Sequence, residues 1–322
     1  MVKARMQSFG IRLAGLGIYL PERIVTNEEL EQQLNLPSGW IEQRTGVLER
    51  RYATHETTVS QAVEASKEAL ENAGLTTHDI DAIIGASSFP QQAIPCTAAL
   101  VQRELGAPDG RSSCFDINAT CLGFLFALHY AAQAIHNGFF KRVLIFSSEI
   151  ASPSLDPKEP ESFALFGDAA AAVIVEASSD SCFHGAAFKT FSSGVHLTQV
   201  LGGGTLYRPG SSYNPDFNLF TMDGPAVFKH ASRTMKPFMD EFLESICWKP
   251  SDVNAFVPHQ ASRYAVAYLS SRLGFQQNQV VLNLPTRGNC VSASIPLALA
   301  EAVGAKQIKR GDKVLLTGTA AG

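Results

Sequence analysis

The sequence predicts an α/β fold made of two similar halves, and three observations predict it. Short apolar runs of strand character alternate with segments of helical period, the pattern of layered sheets with crossover helices. The same order of units occurs twice. The spacing is nearly constant, 172 residues from Asp81 to Val253 and 171 from Val143 to Val314, as expected of an internal duplication. The halves are expected at residues 1–180 and 181–322.

Ile11 to Tyr19 is expected as a strand ending at Pro21, and Thr26-Asn27-Glu28-Glu29 as the cap of a short helix. Val59 to Ala73 has an amphipathic period and stops at Gly74. Asp81 to Ser87 is a buried strand by composition, and Thr97 to Leu105 a helix. Cys114 to Ile117 is strand-like. Phe124 to Ile135 is apolar nearly all round, as in a helix inside a core, and Asn137-Gly138 closes it. Lys141 to Ser147 and Ala169 to Val175 are further strands. In the second half, Asp252 to Ser262 parallels Asp79 to Ser88. Arg287-Gly288-Asn289-Cys290 and the helix Ile295 to Val303 parallel Asn118 to Ile135, and Asp312 to Thr317 parallels Lys141 to Ser147. The counterpart of Ala169 to Val175 would begin where the sequence stops, at Gly322. A C-terminal continuation of the chain is the preferred reading, a second sheet one strand short the other.

Among the 322 residues 45% are hydrophobic and 17% charged, with a net charge of -4. No basic run marks a nucleic-acid or anionic-membrane surface. The first apolar segment is broken by Gly15 and Gly17, so no signal peptide is expected. Six cysteines and eight histidines are scattered without metal-ligand spacing, a pattern that fits a reducing cytoplasm and no metal site.

Three residues carry the candidate chemistry. Cys121 sits where a strand turns into the buried helix, with Asn118 or Thr120 as N-cap; the helix dipole there is expected to favour thiolate. His259 ends the strand equivalent to Asp81–Ser87, and Asn289 occupies a helix start taken as equivalent to that of Cys121. Equivalent loops of a duplicated fold meet near its pseudo-twofold, so thiol, imidazole and carboxamide are expected to converge. Cys290 is a rival nucleophile, assigned instead to a pocket or core. Gly202-Gly203-Gly204 is a flexible turn near Pro209 and not a phosphate cradle.

These residues give the chain a family likeness. It resembles β-ketoacyl-acyl-carrier-protein synthase III, within the thiolase-like superfamily, over essentially its full length. The matching pieces are Gly17-Ile18-Tyr19-Leu20-Pro21, Trp40 with Arg44-Thr45-Gly46, and Cys121 within Ala-Thr-Cys-Leu-Gly-Phe. Phe166-Gly167-Asp168, Val257-Pro258-His259-Gln260-Ala261 and Gly288-Asn289 complete the set. The resemblance implies a duplicated five-layer αβαβα fold with two mixed sheets, a homodimer, and catalysis by Cys121, His259 and Asn289. It also implies coenzyme A contacts at Trp40 and Arg44 and carrier-protein docking at Lys229. Where many relatives have an arginine after the Asp-Pro loop, this chain has Pro160, and after His-Gln-Ala it has Ser262, Arg263 and Tyr264. These departures leave the donor's handle open.

The implied reaction is a decarboxylative Claisen condensation through an acyl-Cys121 thioester. Backbone N–H groups of Cys121 and of the Ala320-Ala321-Gly322 turn are expected to hold the oxyanion. Ile94, in the Gln91–Cys96 loop, is expected to reach the partner subunit's acyl tunnel. Coenzyme A or phosphopantetheine thioesters are expected as substrates, with no cofactor, and no nucleic acid or membrane as partner. Acyl transfer to an alcohol or amine without decarboxylation, and a silent acyl-binding subunit, are the alternatives.

Overall fold

A computed structural model describes residues 8–207, 210 and 213–321. Apolar runs bounded by turn residues form the strands. β1 (Ile11–Tyr19), β2 (Ala82–Gly85), β3 (Ser113–Asp116), β4 (Arg142–Glu149) and β5 (Ala169–Ala177) make one mixed sheet in the order β1-β5-β4-β2-β3. The neighbours β4, β2 and β3 are parallel, whereas β5 runs antiparallel to both β4 and β1. β6 (Ala255–Pro258) and β7 (Val314–Thr317) form a parallel pair, and Val280 bridges to Phe256 on the other side of β6.

The registers express the duplication. Ala82 stands opposite Val143 as Ala255 stands opposite Val314. Ahead of the first pair, the Asp81 carboxylate accepts the Arg142 N–H at 3.0 Å; ahead of the second, the Asn254 side chain accepts the Lys313 N–H at 2.8 Å.

The principal helices are α1 (Thr58–Ala73), α2 (Thr97–Glu104), α3 (Gly123–His136), α4 (Gly224–Ser245), α5 (Arg263–Leu273) and α6 (Ser294–Gly304). Five layers result. α1 and α2 cover one face of the first sheet, their Val59, Leu70 and Val101 packing on Ile83, Leu144 and Ile174. α3 and α6 fill the middle, where Phe124, Ala131, Ile295 and Ala298 share one core with Val143 of the first sheet and Val257 of the second. α4 and α5 close the far side through Met235, Met239 and Leu273 against Phe256 and Leu315.

The alternation of strands and helices, and the buried helix behind Cys121, hold as the sequence predicts. α4, at 22 residues the longest helix among the described residues, does not follow from the pattern. It opens with Gly224-Pro225, a proline in the first turn where no N–H is needed, and contains Pro237, a residue that ordinarily interrupts a helix; Asp223 starts it by accepting the Ala226 N–H at 3.0 Å.

Candidate active site

Cys121 and Asn289 lie on twin constructions. Asn118 Oδ1 accepts the Thr120 N–H at 3.0 Å, and Asn289 Oδ1 accepts the Val291 N–H at 2.9 Å. Thr120 and Val291 both take left-handed backbone, with φ of 46° and 48°, a conformation that costs a side-chain-bearing residue energy and is held only by firm surroundings. Each opens one 3₁₀ turn, Thr120–Leu122 or Val291–Ala293, which a buried helix follows. The match corrects the expected equivalence. Asn289 corresponds to Asn118, and Cys121 corresponds to Ser292.

Asn289 is held by its backbone: its N–H donates to the Leu165 carbonyl at 2.9 Å, and its carbonyl accepts the Gly167 N–H at 3.1 Å. Gly288, at φ 68°, permits this approach, since a Cβ there would come within 2.7 Å of the Leu165 carbonyl oxygen. Asp168 locks the same corner by accepting N–H bonds from Ala53 at 2.9 Å, Ala151 at 2.9 Å and Ser152 at 3.0 Å. The Phe166-Gly167-Asp168 stretch therefore acts as the clamp on Asn289.

His259 extends the β6 ladder by donating its N–H to the Thr317 carbonyl at 2.8 Å. It is 6% exposed, and its Nδ1 has no hydrogen-bond partner among the described residues. Burial lowers its pKa to about 4, so the imidazole is neutral near pH 7. Gly318 packs against it; a Cβ there would lie 2.7 Å from the His259 Cβ and 2.9 Å from Leu122.

Cys121, His259 and Asn289 line one cavity of about 1550 Å³, together with Arg44 and Ala321. Its walls are largely apolar, among them Phe126 stacked on Phe188 at 3.9 Å. The cavity is also lined by β7. The thiol departs from expectation: burial, and then the Glu149 charge, push Cys121 up to about 12. The backbone N–H groups of Cys121 and Ala321 pull the other way and are outweighed. Ala321 is tied to the turn itself, its carbonyl accepting the Thr120 hydroxyl at 3.1 Å.

The remaining sequence-predicted residues are dispersed. Arg44 reaches the cavity with its guanidinium 5.7 Å from the Trp40 ring and 3.6 Å from the Glu161 carboxylate. Trp40 itself, Lys229 and Ile94 do not line the cavity. Lys229 is exposed on α4, and Ile94 is 85% exposed. Gly322 lies outside the described residues. Cys290 is buried against Ala169, Ala171 and Leu297, away from the cavity, and burial raises its pKa. Sequence reasoning missed Glu149 and Ser292. An acid at the carboxyl end of a parallel strand was the available signal, hidden because the strand was expected to stop at Ser147.

A thiol at a helix start, a neutral histidine and a clamped asparagine around one apolar cavity are the parts an enzyme that works on acyl groups would need. Comparison with known proteins narrows it. Two family models, for 3-oxoacyl-[acyl-carrier-protein] synthase III and its C-terminal part, match residues 115–194 and 243–322. The β-ketoacyl-[acyl-carrier-protein] synthase III of Clostridium perfringens strain SM101 is 35% identical, over 97% of this chain and 96% of its own. The crystal structure of the Aquifex aeolicus VF5 enzyme superposes with a TM-score of 0.83 at 36% identity, covering 97% of this chain and 96% of that one. The priming β-ketosynthase of the R1128 polyketide pathway superposes at 0.86 with 31% identity, over 98% and 93%. The chain belongs to the β-ketoacyl-[acyl-carrier-protein] synthase III family, and its fold is thiolase-like.

Proposed function

We propose that this protein condenses an acyl starter with a malonyl-type thioester by decarboxylation, through an acyl-Cys121 intermediate. The observation that carries the reading is the convergence of Cys121, His259 and Asn289 on one cavity from duplicated turns. Cys121 sulfur attacks the starter's thioester carbon, and the Cys121 and Ala321 N–H groups receive the charge on its oxygen. Because the thiol holds its proton tightly, a base is needed, and neutral His259 supplies one; the proton then leaves with the departing thiol. Breakdown of the tetrahedral adduct leaves the acyl group on sulfur.

The malonyl thioester follows into the same cavity. The Asn289 amide and the imidazole N–H of His259 donate to its thioester carbonyl, the carboxylate leaves as carbon dioxide, and the bonding pair becomes an enolate. That carbon attacks the acyl-cysteine, expelling the Cys121 thiolate and giving the β-ketoacyl product. Coenzyme A or phosphopantetheine thioesters serve as substrates, and no step requires a metal or redox group.

Arg44 and Trp40 fit the starter's handle by charge and stacking, and Lys229 on the exposed face of α4 fits an acidic carrier protein. A homodimer fits β3, an edge strand with unpaired backbone groups beside the exposed Tyr130 and Ile94; Ile94 would then reach the partner's tunnel. Halves at 1–180 and 181–322 fit the duplicated registers. Six unpaired cysteines fit a cytoplasmic location, and among the described residues no helix is long and apolar enough to cross a membrane.

Intact-mass measurement with a panel of acyl thioesters tests the first step. The expected result is one added acyl mass, lost in Cys121→Ala. No adduct from any donor would leave only a silent acyl-binding subunit.

A further inference from the structure

Glu149 ends β4 with no exposed surface. One carboxylate oxygen accepts the Ser88 N–H at 2.7 Å and the Ser292 hydroxyl, and the other accepts the Phe89 N–H at 3.1 Å. Ser88 and Phe89 line the cavity beside Cys121. Ser292 is the residue that stands in the second half where Cys121 stands in the first, and the two 3₁₀ turns that carry them are in contact. One buried carboxylate thus fastens the turn on which the Cys121 turn rests.

Every hydrogen bond to Glu149 comes from a neutral donor, and no ion pair to it forms among the described residues. Its charge acts on the Cys121 thiol and, more weakly, on the Cys290 thiol. Cys290 faces the core, so Cys121 is the one with a reaction to perform. A second anion beside an uncompensated buried carboxylate is disfavoured in a low-dielectric interior.

We propose that Glu149 is a positioning residue for Cys121, fixing the reactive turn through the Ser292 hydroxyl and sharing one negative charge with the thiol. The coupling rests on Cys121 being the nucleophile. With Glu149 ionised, loss of the Cys121 proton places two anions together. When Glu149 has taken up a proton from water, Cys121 can pass its own proton to His259 and the pair still carries a single charge. Burial brings Glu149 to about 7 despite the hydrogen bonds from Ser88, Phe89 and Ser292 that favour its ionised form, so the exchange falls within working pH.

Iodoacetamide alkylation of the full chain, followed by peptide mass at Cys121 across pH, tests the coupling. In the natural protein the logarithm of the rate should climb with pH to about 7 and then flatten, because ionisation of Glu149 cancels the gain in thiolate. Glu149→Gln should remove the break and continue upward, reaching about tenfold faster alkylation on the alkaline side. Glu149→Asp should keep the break. Ser292→Ala removes a donor to the ionised carboxylate, so its break should move to higher pH; this variant decides the matter if Glu149→Gln does not fold. A Glu149→Gln profile superimposable on the natural one, or an unmoved break in Ser292→Ala, would overturn the proposal. Failure of Cys121 to be alkylated at any pH would instead sink the nucleophile assignment beneath it.

Discussion

His259 is nearly sealed from water, and its imidazole is the group whose charge the cavity resists most plainly. Its folded pKa of about 4 lies below the ordinary 6.5, so between those values the unfolded chain binds a proton that the folded chain does not. Stability from this residue is therefore complete above pH 6.5 and drains away as the pH falls toward 4, by on the order of 2–3 kcal/mol. Urea unfolding at pH 7 and pH 4.5 should show a smaller acid loss in His259→Asn than in the natural chain. Equal losses would mean that His259 is hydrated when folded. The convergence of the three residues proposed to react could be expected from the sequence because a thiol at a strand-to-helix turn and a histidine at a strand end are local features. The thiol's protonation could not. It depends on Glu149, far from Cys121 along the chain, and on burial that no local pattern reveals.

At the scale of elements, the site depends on turns that tolerate no added bulk. Gly318 leaves no room for a Cβ between His259 and Leu122, so Gly318→Ala should displace the imidazole. Steady-state condensation should fall at least about tenfold, consistent with misplacing a reacting group by an ångström, while circular dichroism keeps the native signal. Unchanged kinetics would show that His259 has slack. Asn118→Ala removes the bond that holds Thr120 left-handed, and should cost about 1 kcal/mol in unfolding free energy. The helix behind Cys121 was legible from its apolar run, and α1 from its amphipathic period and Gly74. α4 was not, because its prolines act as punctuation in sequence but are accommodated in the folded helix. The pairing of Cys121 with Ser292 lies within the 171-residue repeat, but the expected match of Asn289 to Cys121 overlooks it; the backbone conformation shared by Thr120 and Val291 establishes it.

Across the whole molecule, the duplication does the positioning. α3 and α6 share one core between the two sheets, which brings the turns at their starts to a common cavity although Cys121 and Asn289 are 168 residues apart. The repeated order was visible in the sequence at a spacing of 171–172 residues. Its consequence, two left-handed turns resting on each other, appears only when the middle layer is packed. The exposed edge of β3 gives a prediction at this scale. Sedimentation should find the natural protein at twice the chain mass, and Tyr130→Asp with Ile94→Asp should shift it to the monomer; a natural monomer would contradict the dimer.

The central claim, that Cys121, His259 and Asn289 act together on a malonyl thioester, is tested most directly by release of labelled carbon dioxide from carboxyl-labelled malonyl donor in the presence of an acyl starter. Release matched by β-ketoacyl product is predicted for the natural chain, with both lost by at least about a hundredfold in His259→Ala and Asn289→Ala. Acylation of Cys121 without any carbon dioxide would contradict it and leave acyl transfer without condensation.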